Sequence, residues 1–140
     1  MPNRAVFLDT NGWLALLNAS DTLHEPALAL WGELVEQGAT LVATDWVLAE
    51  TGNGLARTPA RRQLSRAVDL FRSSSRSRFL FVSSAYLEKA LNLYDHREDK
   101  GWGLVDCASF AVMQDLGIAE AFTDDRHFQQ AGFRRLLSPF

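Results

Sequence analysis

Cysteine is almost missing from this 140-residue sequence: Cys107 is alone, so no disulfide can close within the chain. That absence points to a reducing compartment, and a cytoplasmic location is the expectation. Histidine is scarce too. His24, His96 and His127 show no pairing at metal-ligand spacing, which argues against a zinc-type site. No apolar run approaches the ~20 residues that span a bilayer. The apolar opening is broken by Asp9 and Asn11, which is not the layout of a signal peptide. Repeats and long low-complexity tracts are lacking, and the SSSRS stretch at Ser73–Ser77 is a short loop, because Phe79-Leu80-Phe81-Val82 follows it at once. With 140 residues, 47% hydrophobic and 22% charged, the chain reads as one domain, 1–140, able to bury a core.

Positive charge is in deficit overall but is not evenly spread. The net charge is −3, yet seven of the 14 Lys+Arg fall between Arg57 and Arg78, opposed there only by Asp69. That segment carries +6 and leaves −9 on the rest of the −3 chain. A basic stretch beside an acidic remainder suits a protein that holds a polyanion while keeping a cation site elsewhere. Arg57, Arg61, Arg62 and Arg66 are the candidate phosphate contacts. The same stretch also reads as a solvated helix face.

Short buried strands alternate with longer helices. Ala5–Leu8 is a strand ending at Asp9, followed by a helix around Gly12–Asn18 and another from Glu25 to Glu36, with Pro26 in its first turn and Gly38 past its end. Thr40–Thr44 is a second strand, and Asp45 is the expected N-cap of a helix from Trp46 to about Arg57. Pro59 precedes a basic helix near Ala60–Phe71. Phe79–Val82 is the expected third strand, and Ser84 caps a helix to Tyr94. A loop over His96–Gly103 leads to an apolar helix, Leu104–Leu116, stopped by Gly117. Glu120–Phe122 is a short strand, Asp124 the expected N-cap of a turn over Asp125–Gln130, and Phe133–Leu137 the last strand. Such alternation indicates a parallel sheet with helices on both faces. Ligands bind such sheets beyond the carboxyl ends of the strands, where Asp9 and the Asp124–Asp125 pair fall.

Asp9, Glu50, Asp106 and Asp125 stand out among the acids, with Asp124 beside them. On its helix Glu50 lies about 110° from the centre of a buried face set by Val47, Leu48, Thr51 and Leu55. Asp106 lies about 95° from a face set by Val105, Ala108, Val112 and Leu116. Each sits at the boundary of core and solvent, where the rim of a cleft would be. An oxygen-only ligand set favours hard cations such as Mg2+ or Mn2+. Converging carboxylates would raise one another's pKa values unless a cation neutralised them. Each acid also has a purely structural reading. Asp9 and Asp124 can cap helices, Asp106 suits the dipole of a first helical turn, and Glu50 can be ordinary surface.

At these residues the chain resembles the PIN-domain family, especially the VapC-type toxins of bacterial toxin–antitoxin pairs. The matching pieces are Phe7-Leu8-Asp9-Thr10-Asn11, Ala49-Glu50-Thr51, Leu104-Val105-Asp106-Cys107, and Thr123-Asp124-Asp125-Arg126-His127-Phe128 with Ala131-Gly132-Phe133 after it. They cover nearly the whole chain in the family's order. The resemblance implies a three-layer α/β/α fold on a central parallel sheet of about five strands. It also implies Mg2+- or Mn2+-dependent hydrolysis of RNA by a metal-activated water, with an antitoxin partner and a homodimer. By the family's pattern Asp9, Glu50, Asp106 and Asp125 are the catalytic and metal-site acids, with Asp124 adjoining. Thr10 and Thr123 are hydrogen-bonding neighbours, and Asn11 is secondary. Gly103 departs from the pattern, since members often carry Ser or Thr there.

Trp13 and Trp31 fall in apolar helical patterns and read as core, whereas Trp102, between two glycines near Asp106, could stack on a base or pack in its loop. His127, beside the acids, reads as structural. A haloacid-dehalogenase-like phosphatase is an alternative that also starts from an Asp after the first strand, but it needs a second Asp two residues on, and Asn11 stands there. A receiver-like domain would cluster its acids near the first strand. A catalytically inactive RNA- or partner-binding module on the same fold is the third reading, and the presence of all four acids argues against it.

Overall fold

Val6, Phe7 and Leu8 are fully buried because their strand, β1 (Ala5–Leu8), lies at the middle of a five-stranded sheet. This computed structural model describes residues 4–137. β2 (Thr40–Thr44), β3 (Ser77–Leu80), β4 (Glu120–Phe122) and β5 (Arg134–Arg135) complete the sheet in the order β3-β2-β1-β4-β5. Every pairing is parallel. Parallel neighbours need crossover connections, and the helices supply them. These are α1 (Thr10–Leu17), α2 (His24–Glu36), α3 (Asp45–Leu55), α4 (Leu64–Ser73), α5 (Ser84–His96), α6 (Leu104–Leu116) and α7 (Arg126–Gln130). The result is the expected three-layer α/β/α arrangement. No described helix is long and apolar enough to cross a membrane.

Strand order places the cleft. From β1 the chain steps to β2 and then β3 on one side, and crosses back to β4 on the other side of β1. The reversal falls between β1 and β4, and a doubly wound sheet opens its crevice at such a point, beyond the strands' carboxyl ends. Asp9 follows β1 there and Thr123 follows β4, whose pairing runs Phe7 with Ala121 and Leu8 with Phe122.

Gly12 lets α1 come close to that crevice. A Cβ at this position would overlap the carbonyl oxygen and ring of Phe122, so α1 lies nearer β4 than any side chain would permit. On the other side, α6 is buried without a break from Cys107 to Met113, a wider burial than the single face expected from its periodicity. The helix is apolar nearly all round, and α5, α3 and α7 all pack against it. At the far end of the sheet, Arg4 grips Glu120 with Nε 2.7 Å from Oε1, tying the start of β1 to the start of β4.

Several local expectations are corrected by one residue or a few. Thr44 is the N-cap of α3, its hydroxyl accepting from Val47 N, and Asp45 is helical with its carboxylate taken by Val82 N. Ser83, and not Ser84, caps α5. Asp125, and not Asp124, caps α7. The third strand begins at Ser77 and ends at Leu80, leaving Phe81 62% exposed beyond it. The basic segment divides into a 3-10 turn, Pro59–Gln63, which Pro59 opens at a position where its missing N–H costs nothing, and α4, which starts at Leu64. The last strand is only Arg134–Arg135.

Candidate active site

Asp9 leaves β1 in extended conformation and enters the core rather than capping α1; it is 3% exposed and its side chain makes no cap bond. Its Oδ2 accepts a hydrogen bond of 2.9 Å from the fully buried hydroxyl of Thr123. The same Thr123 oxygen accepts from Asp125 N at 3.1 Å, so one side chain orients the acid of β1 and the loop after β4 together. Asn11 braces that loop, its Oδ1 accepting from Asp124 N at 2.7 Å, and Arg135 donates to the Asp124 carbonyl at 2.9 Å.

Asp106 arrives from the first turn of α6. Its Oδ2 accepts from Gly103 N at 3.2 Å and lies 2.9 Å from His127 Nδ1. With no side chain at Gly103, this is half of a capping box, and the missing half leaves the helix start open. The Oδ1 of Asp125 accepts from His127 N at 2.9 Å and lies 3.6 Å from the same ring nitrogen. Asp106, Asp125 and His127 thus each bring one ligand atom within 4.8 Å of the others. Glu50 stands on the exposed side of α3, outside that group, and its Oε1 accepts from the hydroxyl of Thr10, the residue after Asp9, at 2.6 Å. Asp124 is held by its backbone, and its carboxylate also lies outside the group of three.

The electrostatics follow from burial. Loss of water, more than any neighbour, pushes the Asp9 pKa up to about 7; the Thr123 and Thr10 hydrogen bonds pull it down, and the charges of Asp106 and Asp125 push it further up. Asp106 is raised too, first by burial, against the hydrogen bond from His127 and with the charge of Asp125 adding to the rise. Asp106, Asp125 and His127, with Asp9 near enough for the two carboxylate charges to raise its pKa, form a set that fits a divalent cation, which would relieve the repulsion among the carboxylates.

A family model described as the PIN domain matches residues 6–134. The chain belongs to the PIN-domain family. The 23S rRNA-specific endonuclease VapC20 of Mycobacterium tuberculosis is 33% identical to this PIN domain over 128 residues, covering 91% of this chain and 95% of that protein. The crystal structure of that VapC20, described as a sarcin-ricin loop cleaving toxin, matches with a TM-score of 0.82 at 32% identity over 91% of this chain and 95% of that one. The present PIN domain is therefore of the VapC type. PAE2754 from Pyrobaculum aerophilum shares the fold at a TM-score of 0.62 and 15% identity, covering 96% of this chain and 90% of its own. VapBC2 from Rickettsia felis, solved with a DNA fragment from its promoter, matches at a TM-score of 0.61 and 20% identity, over 91% and 92% of the two chains. The family match sets aside the phosphatase and receiver alternatives, and Asn11, where a phosphatase needs its second Asp, serves as a loop brace.

Two readings of the site change. Trp102 cannot offer its face to a base: it is 6% exposed, its Nε1 donates to Gln130, its ring meets Phe110 edge-on, and the Arg97 guanidinium lies 5.0 Å above it. His127, read from sequence as structural, belongs to the acidic group. The signal was its place two residues after Asp125, a spacing that brings the ring back over the cap of a short helix. Cys107 is buried, and burial followed by the charge of Asp106 raises its thiol, which keeps it protonated and unreactive.

Arg57, Arg61, Arg62 and Arg66 are all exposed, and none joins an ion pair among the described residues. Arg61 makes one bond, to the Ala56 carbonyl. Two of the segment's other three arginines are engaged, Arg72 over the Phe79 ring and Arg76 on the Gly38 carbonyl. Glu50 lies on α3, and Arg57 follows two residues after the end of that helix, in the turn that leads to Pro59.

Proposed function

We propose that this VapC-type nuclease is a single-domain, Mg2+- or Mn2+-dependent endoribonuclease and the toxin of a type II toxin–antitoxin pair, acting in the cytoplasm. The observation that supports the reading is the approach of Asp106, Asp125 and His127 to one another, with Asp9 held beside Asp125 through Thr123, near the reversal point of the sheet. The likeness to an rRNA-specific endonuclease over nearly the whole chain supports RNA as the substrate. A structured ribosomal RNA hairpin is the first RNA to test.

In this mechanism Asp9, Asp106 and Asp125 would hold the cation, with Glu50 beside it. A bound divalent ion supplies two things here: a lower pKa for a water molecule and compensation of charge on the phosphodiester. The chain's own residues do the rest. Thr123 fixes the rotamer of Asp9, and Asn11 keeps the Asp124–Asp125 loop against α1. Thr10 occupies Glu50 Oε1, which leaves Oε2 to accept a proton from the attacking water. Arg57, Arg61, Arg62 and Arg66 bind substrate phosphates along the exposed turn after α3 and the start of α4. An antitoxin and a homodimer belong to the same reading and are tested by co-purification and light scattering.

Incubation of purified protein with 23S-derived RNA and Mn2+ or Mg2+, with and without EDTA, tests the proposal against an Asp9→Asn variant. Metal-dependent cleavage that the variant lacks supports it. Binding without cleavage assigns the fold to a non-catalytic RNA-binding module.

A further inference from the structure

The donor set is not oxygen alone. His127 Nδ1 lies 2.9 Å from Asp106 Oδ2 and 3.6 Å from Asp125 Oδ1. Two ligand atoms about 2.1 Å from one ion lie about 3.0 Å apart at right angles and about 3.4 Å apart at a tetrahedral angle. The two separations from Nδ1 bracket that range, and all three residues bring a ligand atom within 4.8 Å of the others, so small side-chain adjustments would let them share one ion. The ring is also anchored from both sides. Asp125 Oδ1 holds the backbone of His127, and Thr123 holds the backbone of Asp125. His24 and His96, by contrast, spend Nδ1 on the carbonyls of Ala15 and Asn92.

We infer that His127 is a nitrogen ligand of the cation held by Asp106 and Asp125, and that the site consequently prefers a first-row transition ion such as Mn2+ to Mg2+. The inference rests on the metal reading above and deepens it. Mg2+ keeps oxygen ligands and water and gains little from an imidazole, whereas transition ions bind imidazole nitrogen well. Without a cation, Nδ1–H donates to Asp106 Oδ2 and holds the two ligands together. With the cation bound, Nδ1 presents its lone pair and the ring's proton sits on Nε2, on a side chain that is 35% exposed.

The competing role for His127 is that of a positioning residue, hydrogen-bonded to Asp106 and never touching the ion. Pulsed electron paramagnetic resonance on the metal-stripped protein reloaded with Mn2+ separates the two. A bound imidazole gives 14N modulation; the expected result is that modulation in the wild type and its loss in His127→Gln. In the same variant Mn2+ affinity should fall about tenfold or more, and Mg2+ affinity, read by competition, by about threefold or less. Bound Mn2+ without 14N modulation in the wild type overturns the inference and leaves the metal reading standing. No Mn2+ binding at all overturns both. The wild-type spectrum decides the matter even where the variant fails to fold.

Discussion

Asp9 is the residue at which stability and activity should be opposed. Its pKa stands at about 7 in the folded, metal-free protein against an ordinary 3.8, a displacement dominated by burial. Between those values the folded state holds a proton that the unfolded state has released, so stability falls as pH rises through the window. Roughly three pH units at about 1.4 kcal/mol each give an upper figure of about 4 kcal/mol, fully developed above pH 7 and absent below about pH 4. Asp9→Asn removes the buried charge and keeps an oxygen for the Thr123 hydroxyl. In EDTA, urea unfolding of the two proteins should coincide near pH 4 and diverge on going to pH 8, with the Asn variant more stable by as much as about 4 kcal/mol. Mn2+ should then raise the wild type more than the variant, and RNA cleavage should be confined to the wild type. A variant no more stable than the wild type at pH 8 in EDTA would refute the argument that burial governs Asp9.

Gly12→Ala should cost at least about 1–3 kcal/mol in chemical denaturation, because its methyl meets the Phe122 carbonyl and ring, and backbone cannot yield as a side-chain tip does. Thr10→Val should leave the melting temperature within a few degrees and lower kcat by about tenfold or more, since it frees Glu50 without touching the buried group; an unchanged kcat would separate Glu50 from the chemistry. Replacing Arg61, Arg62 and Arg66 together by Ala should weaken RNA binding at low salt and flatten the slope of log K against log salt by about 2, at ~0.7 per lost phosphate contact. An unaltered slope would remove the basic segment from the RNA-binding surface.

The boundaries that were legible in the sequence were those with unambiguous punctuation. Leu104–Leu116 lies between Gly103 and Gly117, the second in left-handed conformation, and its extent agrees with the reading. Three helix starts missed by one residue for a single reason. Thr44-Asp45, Ser83-Ser84 and Asp124-Asp125 each place two capping side chains in succession, and composition does not say which one faces the free amides. β3 was misplaced because hydrophobicity marks Phe79–Val82, whereas an edge strand is defined by backbone pairing with β2, and polar Ser77 and Arg78 can supply that. The acids were legible by type and spacing and by their place after strands. The order of strands, which brings Asp9 next to Thr123, was not, because it depends on which way each crossover turns. His127 was underestimated for a related reason: its importance comes from Asp106, which is far away in sequence and close only in space.

The bond between Thr123 and Asp9 joins residues 114 positions apart, across neighbouring central strands. A ribosome making this chain releases Asp9 early and Thr123 near the end, so the buried contact that orients Asp9 forms only after β4 has been made.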